Sequence, residues 1–197
     1  MTSSLKSVVS LSIAIMFGHP AIGAPQGKNA SWLDETKPAS WNTPDASIPD
    51  APTAQQAVDS RCRQSARPPQ LDEDQRVRDK GWDLVGAFQG GWGMLVIGGT
   101  AGYDGMCRPR QYQDFVFMRG AFVGTLSPQP MDSRTDGALE RVSVQSAVRL
   151  IAEYARYTEK DALCCPSRTT SVVFDMISDG RVLQPLSTST SKREASR

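Results

Sequence analysis

Charged side chains that could do acid–base or anion-binding chemistry gather in three polar stretches of the chain. The first, GYDGMCRPRQYQ at 102–113, places two arginines close together, and such a pair can clasp a phosphate or carboxylate with paired hydrogen bonds. The second is MDSRTDG at 131–137, and the third is RYTEKD at 156–161. The candidate ligand-binding residues in these stretches are Asp104, Arg108, Arg110, Arg134 and Asp136.

The same stretches could supply a pair of carboxylates for hydrolysis or elimination, one acting as an acid and the other as a base or nucleophile. Turns and solvated loops are the simpler interpretation, because Asp, Ser, Thr and Gly all favour turns and exposed ion pairs contribute little. We therefore assign no catalytic residue, and the sequence favours a non-enzymatic protein over an enzyme. The carboxylates considered for a pair are Asp104, Asp132, Asp136, Glu159 and Asp161.

Several enzyme classes are excluded because the only histidine, His19, lies in an N-terminal stretch that has the pattern of a signal peptide. Without an imidazole, the mature chain cannot build a Ser-His-Asp or Cys-His arrangement, nor a zinc site with histidine ligands. The glycine-rich stretch GGWGMLVIGG at 90–99 matches neither a P-loop nor a dinucleotide-binding fingerprint. We expect no cofactor and no metal.

Residues 1–24 have the pattern of a secretory signal peptide. Lys6 precedes an apolar run at 8–17, and small residues follow at 21–24. The run is too short to span a bilayer, which takes about 20 apolar residues. Export would place the protein in the periplasm or outside the cell, and no cysteine near the cut could carry a lipid anchor. Loss of Lys6 leaves no net charge (22 basic residues minus one, against 21 acids), so we expect no nucleic-acid partner.

The four cysteines are Cys62, Cys107, Cys164 and Cys165, an even number that predicts disulfides in an exported chain. Their spacing lacks the paired CxxC motifs of structural zinc sites. A bond between the adjacent cysteines is disfavoured, because neighbouring α-carbons lie about 3.8 Å apart while disulfides prefer about 5.5–6 Å. In an extended segment before Pro166 the two side chains point to opposite sides. We predict that Cys62 and Cys107 each pair with one of Cys164 and Cys165.

Periodicity predicts one helix and seven short strands. The helix covers 71–80, where acids come early, basic residues late, and Gly81 follows. The fold class is α+β, mostly β: a small antiparallel sheet of about six to seven strands with one short N-terminal helix, stapled by disulfides. Turns are expected at 89–91 and at Arg119–Gly120, and Phe88 is expected in the core. The strands are 82–88, 92–101, 114–118, 121–127, 139–145, 148–158 and 169–177.

Composition divides the chain into four parts: the signal peptide at 1–24, an arm at 25–60, a domain at 61–178 and a tail at 179–197. The arm is rich in Pro, Ala and Ser, and without periodicity it cannot bury enough apolar surface to offset its conformational entropy. We therefore expect it to be disordered, and the Ser- and Thr-rich tail likewise. Trp32 and Trp41 of the arm could dock on the domain or contact a partner.

Residues 82–177 resemble the LppP/LprE lipoprotein domain of bacterial envelope proteins. The resemblance rests on DFVFMRGAFVGTLSPQPMDSRTDG at 114–137, IAEYARYTEKDALCCPS at 151–167 and TTSVVFDM at 169–176, of which Cys-Cys-Pro before the Val-Val-Phe strand is the most specific part. It implies an extracytoplasmic protein of undefined biochemical function and supplies no catalytic residues. This chain departs from the lipoprotein members because it lacks their lipobox cysteine.

These observations favour an exported, non-catalytic module of the bacterial envelope that binds another envelope component, a protein or a glycan. Two alternatives stay open: a hydrolase or lyase that uses a carboxylate pair, and an inhibitor that presents the 102–113 loop. Two carboxyl groups about 5–10 Å apart in a concave pocket would favour the enzyme.

Overall fold

The computed structural model describes residues 31–53, 60–162 and 164–193. The predicted signal peptide lies outside the described residues. A 3₁₀ turn at Trp32–Asp34 precedes two short helices, α1 (Ser60–Arg63) and α2 (Asp72–Arg78). The strands are β1 (Asp83–Gly91), β2 (Met94–Tyr103), β3 (Pro109–Met118), β4 (Ala121–Thr125), β5 (Ala138–Ser146), β6 (Arg149–Arg156), β7 (Arg168–Ile177) and β8 (Val182–Lys192).

The strands form two antiparallel sheets of four, β1-β2-β3-β4 and β5-β6-β7-β8, each made of strands consecutive in the chain. The mostly-β antiparallel class is confirmed, and the number of strands and sheets is corrected. The seven predicted strands are present, and the eighth, β8, lies where a disordered tail was expected. It is ordered because it pairs with β7 along its length and buries Val182 and Leu183.

One core joins the two sheets and another lies on the outer face of the first sheet. Tyr112 and Val116 of β3 meet Tyr154 and Phe174 of the second sheet in the shared core. On the other face of the first sheet, α2 packs its Val77 into a cluster of aromatic and aliphatic residues, and the predicted helix is thereby confirmed. That cluster also contains Ile48, Trp82, Leu84, Ile97, Phe115 and Phe117.

The described part of the arm, residues 31–53, lies on the domain, so the expectation of disorder is wrong for this segment. Its aromatic residues carry the contact: Trp32 packs edge-on against Tyr154 with ring centroids 5.7 Å apart, and Trp41 packs against Phe174 at 6.1 Å. The Trp41 indole N–H donates to the Thr125 carbonyl at 3.1 Å. The burial of these aromatic rings offsets the conformational entropy that the arm loses when it becomes ordered. The composition of the arm alone had suggested that this entropy would keep it disordered.

The predicted disulfide pairing is wrong. Cys62 bonds Cys107, with α-carbons 5.0 Å apart, and Cys164 bonds Cys165. Topology is the reason: the segment after α1 joins the first sheet, where the Arg67 N–H donates to the Leu84 carbonyl, and the loop with Cys107 belongs to the same sheet. The adjacent cysteines lie instead in the β6–β7 connection of the second sheet.

Candidate ligand-binding cavity

The predicted ligand-binding residues of the 102–113 stretch bond to neighbouring loop residues, Asp104 and Arg108 to each other and Arg110 to Asp132. The Asp104 carboxylate accepts hydrogen bonds from the Met106 and Arg108 backbone N–H groups at 2.8 and 2.9 Å and from the Arg108 guanidinium at 2.6 Å. Burial raises the pKa of Asp104, but these hydrogen bonds outweigh it and hold the pKa below its usual value. Arg110 lies 3.3 Å from the Asp132 carboxylate.

The other predicted residues also close loops. Asp136 accepts a hydrogen bond from the Asp132 backbone N–H at 2.7 Å, and Arg134 donates to the Asp161 carbonyl at 3.1 Å. Asp161 accepts hydrogen bonds from Thr158 and Ser167, which hold its pKa well below the usual range. These residues have structural roles here, and ligand binding by them stays a prediction.

A cavity of about 220 Å³ lies at one edge of the space between the two sheets. β1, β2 and β3 form one side of it, and the other side comes from Ser133 and the start of β5 at Ala138 and Leu139. The candidate carboxylates Asp104, Asp132, Asp136, Glu159 and Asp161 are absent from its lining. None of the five candidate carboxylates therefore takes part in this cavity.

A bulge in β1 borders this cavity. Val85 pairs with Gly98 and Gln89 with Val96, so three residues of β1 oppose the single Ile97 of β2. Gly86 takes φ +65° within the bulge, a backbone conformation that glycine adopts at little cost. Bulges re-aim side chains and are frequent beside functional sites.

Two predictions about the β1–β2 hairpin are wrong because of this bulge. Phe88, expected in the core, lies in the bulge and is 43% exposed. The predicted turn at 89–91 belongs to β1, and the hairpin turns instead at Trp92 and Gly93, which both have positive φ.

Asp114 is the only ionisable carboxyl among the described residues that line the cavity. On β3 it lies between Tyr112 and Val116 in the alternation that faces the second sheet, and it is only 8% exposed. It stands opposite Gly98, where a β-carbon would approach its Oδ1 to 3.2 Å, so the glycine leaves room for the carboxyl. Burial raises the pKa of Asp114 to about 7, and among the described residues no hydrogen bond or ion pair lowers it.

Two tyrosines face Asp114, and their hydroxyl groups are already hydrogen-bonded elsewhere. The Tyr112 hydroxyl donates to the Gly137 carbonyl at 2.6 Å and accepts from the Leu139 N–H at 3.1 Å. The Tyr154 hydroxyl donates to the Leu126 carbonyl at 2.8 Å. Burial and the nearby carboxylate raise the pKa of both tyrosines well above the usual value. Asp114 therefore carries the one group in this cluster that titrates near neutral pH.

A second cavity, of about 430 Å³, lies between the arm and the region after β4. Its one charged lining residue, Asp50, is exposed and pairs with Lys80 at 3.1 Å. The Gln113 amide oxygen is buried there without a partner among the described residues, but a neutral amide costs less to bury than a carboxylate. The Asp114 cavity is therefore the stronger candidate site.

Asp114 was not among the predicted site residues because it starts a strongly apolar predicted strand, DFVFM. The alternation of the strand could have identified it, because Asp114 lies two residues from each of the inward-facing residues Tyr112 and Val116. Among the described residues, no group of three or more His, Cys, Asp or Glu side chains could hold a metal ion.

Comparison with known proteins gives one match. No curated protein and no solved structure matches the chain. No helix in the described ranges is long and apolar enough to cross a membrane. The model of the LppP/LprE lipoprotein family matches residues 92–179, a range that holds β2 to β7 and eight of the twelve cavity-lining positions. The name of the family indicates a lipid anchor, contrary to our expectation that the chain carries none, and it also indicates association with the cell envelope. The match confirms the resemblance drawn from the sequence: residues 92–179 are similar to the LppP/LprE lipoprotein family.

Proposed function

We propose that this protein is an exported, non-catalytic module of the bacterial envelope that binds another envelope component through the cavity at Asp114. The observation that carries the proposal is the Asp114 carboxyl, 8% exposed and without a hydrogen-bond or ion-pair partner among the described residues. Such a group is costly to bury, and perturbed carboxyls in cavities cluster at functional sites. The family match supports the envelope location.

Binding is favoured over catalysis by what surrounds the carboxyl. A hydrolase with a carboxylate pair needs two acids flanking the substrate, and the cavity lining has one. The hydroxyl groups in the lining are occupied, since Tyr112 donates to the Gly137 carbonyl and Ser133 donates to the Pro109 carbonyl at 2.7 Å. This supports a site that holds a ligand without transforming it.

The size of the cavity sets the scale of the ligand. An engineered apolar cavity of about 150 Å³ accommodates benzene, so about 220 Å³ accommodates a benzene ring with a short polar substituent. Drug-sized ligands need pockets of about 300–1,000 Å³. We therefore expect a small molecule, or a small group of a larger envelope component.

The experiment is an amide-resolved NMR titration of the mature protein at pH 7 with benzylammonium, benzyl alcohol and benzoate, added separately. We expect at least one of them to shift the amide signals of Gly86, Gly98 and Ala138 saturably. The amide of Gly180, in the β7–β8 turn, serves as the internal control and should not move. If all three compounds leave the cavity amides unmoved at millimolar concentration, the proposal fails.

A further inference from the structure

We infer that the ligand of this cavity is a small organic cation, whose ammonium group pairs with the Asp114 carboxylate while its apolar body lies between β1 and β5. The inference rests on the proposed function and specifies the chemical class of the ligand.

The charge of the cavity lining favours a cationic ligand. Among the described residues that line the cavity, Asp114 is the only charged side chain, and no described basic residue pairs with it. The nearest arginine in the same strand, Arg110, is held by Asp132. An unpaired carboxylate in a region of low dielectric attracts a cation far more strongly than it would in water and repels an anion. The site therefore selects for positive charge.

The lining of the cavity favours an organic cation over a metal ion. Val85, Val96 and Leu139 line the cavity with aliphatic surface, which favours an apolar body behind the charged group. A bare calcium ion needs six to eight oxygen ligands and magnesium needs six, and a single carboxylate cannot replace that hydration shell. An organic ammonium needs only the carboxylate and the apolar walls, and both are present.

Proton linkage follows from the surroundings of Asp114. The titratable groups that face it are Tyr112 from β3 and Tyr154 from β6, and both stay protonated at neutral pH. The lining residues from β1, β2, β5 and the loop before β5 contribute no titratable group. Among these described groups around the cavity, only Asp114 changes its charge between about pH 5 and pH 9. An ammonium ligand must then displace a proton from Asp114 below pH 7, where the carboxyl is neutral.

The test is a calorimetric titration of the mature protein with benzylammonium at pH 8.5 and pH 5.5. Benzyl alcohol is the neutral control of matched shape, and benzoate is the anionic control. Benzylammonium should bind most tightly of the three at pH 8.5 and lose about 30-fold in affinity at pH 5.5, as expected for a linked pKa near 7. Benzyl alcohol should show no such loss.

Two variants separate charge from shape. Asp114→Asn keeps the size of the side chain and should abolish the preference for benzylammonium, while its binding of benzyl alcohol shows that the cavity is intact. Asp175→Asn removes an outer-surface carboxylate that pairs with Arg149 and should leave all three affinities unchanged. If benzyl alcohol or benzoate binds best to the natural protein, the cation inference is overturned and the proposed function stands. If none binds, both are overturned.

Discussion

The side chain of Asn42 lies against the bare α-carbon of Gly124, where a β-carbon would sit only 2.3 Å from the amide carbon. From that position the Asn42 amide nitrogen donates to the Thr125 and Leu183 carbonyls at 3.0 and 2.9 Å, and its oxygen accepts from the Thr125 N–H at 2.9 Å. One arm residue thus bridges β4 and β8, each of which is an edge strand of its sheet.

Gly124→Ala should destabilise the protein, because the added methyl group overlaps Asn42 and Gly124 has φ +142°. Asn42→Ala should cost about 1–3 kcal/mol, since it leaves buried backbone groups without partners. The double variant should be less destabilised than the sum of the two, as both changes break one contact. Urea unfolding measures the free energies. Gly102→Ala, with no atom near its β-carbon, is the matched control; full additivity would contradict the prediction.

The contribution of Asp114 to the stability of the protein should fall as the pH rises from about 4 to 7. The folded pKa of Asp114, about 7, exceeds the usual aspartate value of 3.8, so the folded protein holds the extra proton in that window and loses the advantage above it. The difference corresponds to about 4 kcal/mol. Asp114→Asn should therefore gain stability over the natural protein at pH 8.5 and match it near pH 4.

Urea unfolding at pH 4, 5.5, 7 and 8.5 measures this effect, with Asp175→Asn as the control on the outer surface. A constant difference between Asp114→Asn and the natural protein across the four pH values would show that Asp114 does not titrate near neutrality.

The ion pair of Arg67 and Asp74 should contribute strongly to stability. Two guanidinium nitrogens of Arg67 donate to the fully buried Asp74 carboxylate at 2.7 and 2.6 Å. Burial raises the pKa of Asp74, but the Arg67 hydrogen bond and backbone N–H groups lower it overall, so this contribution is present above the unfolded pKa and lost as the pH falls through the folded one. Asp74→Asn should cost about 3 kcal/mol at pH 7.

Thermal and urea unfolding of Asp74→Asn should show a smaller loss at pH 3 than at pH 7. Asp72→Asn changes an exposed carboxylate in the same helical turn and should cost little at either pH. Equal losses from the two variants would refute a special role for the buried pair.

The disulfide pairing predicts a peptide map. Digestion with trypsin after alkylation without reduction should give peptide 62–63 joined to peptide 81–110 through Cys62 and Cys107. Peptide 161–168, DALCCPSR, should appear alone, two hydrogens lighter than its reduced form. Mass spectrometry would contradict this pairing if it found peptide 161–168 joined to either of the others.

Local patterns predicted the elements that depend on neighbouring residues. The acid-to-base order of 71–80 predicted α2, and Arg119–Gly120, both with positive φ, form the expected tight turn between β3 and β4. β8 was missed because its outer half, STSTSK, is polar on both faces and looks like a tail until β7 pairs with it.

The candidate site depended on contacts between distant residues, so the sequence could not predict it. The cavity exists because a bulge in β1 and the start of β5 lie over Asp114, and these segments are about 25 to 50 residues apart in the chain. The disulfides could not be predicted for the same reason. Cys62 pairs with Cys107 because the loop that holds Cys107 lies beside α1, and the spacing of cysteines in the sequence does not reveal that contact.

Because the chain is synthesised from its N-terminus, the arm can dock only after the strands that it contacts have been made. Its partners lie far downstream: Asp34 pairs with Arg156, and the Thr36 carbonyl accepts from the Thr188 N–H in β8. Each sheet is a run of consecutive strands and can pair as soon as it emerges. The arm emerges first yet cannot dock completely until the last strand has been made. A nascent chain stopped before β6 would lack the rings of Tyr154 and Phe174 and would therefore leave Trp32 and Trp41 exposed to chaperones.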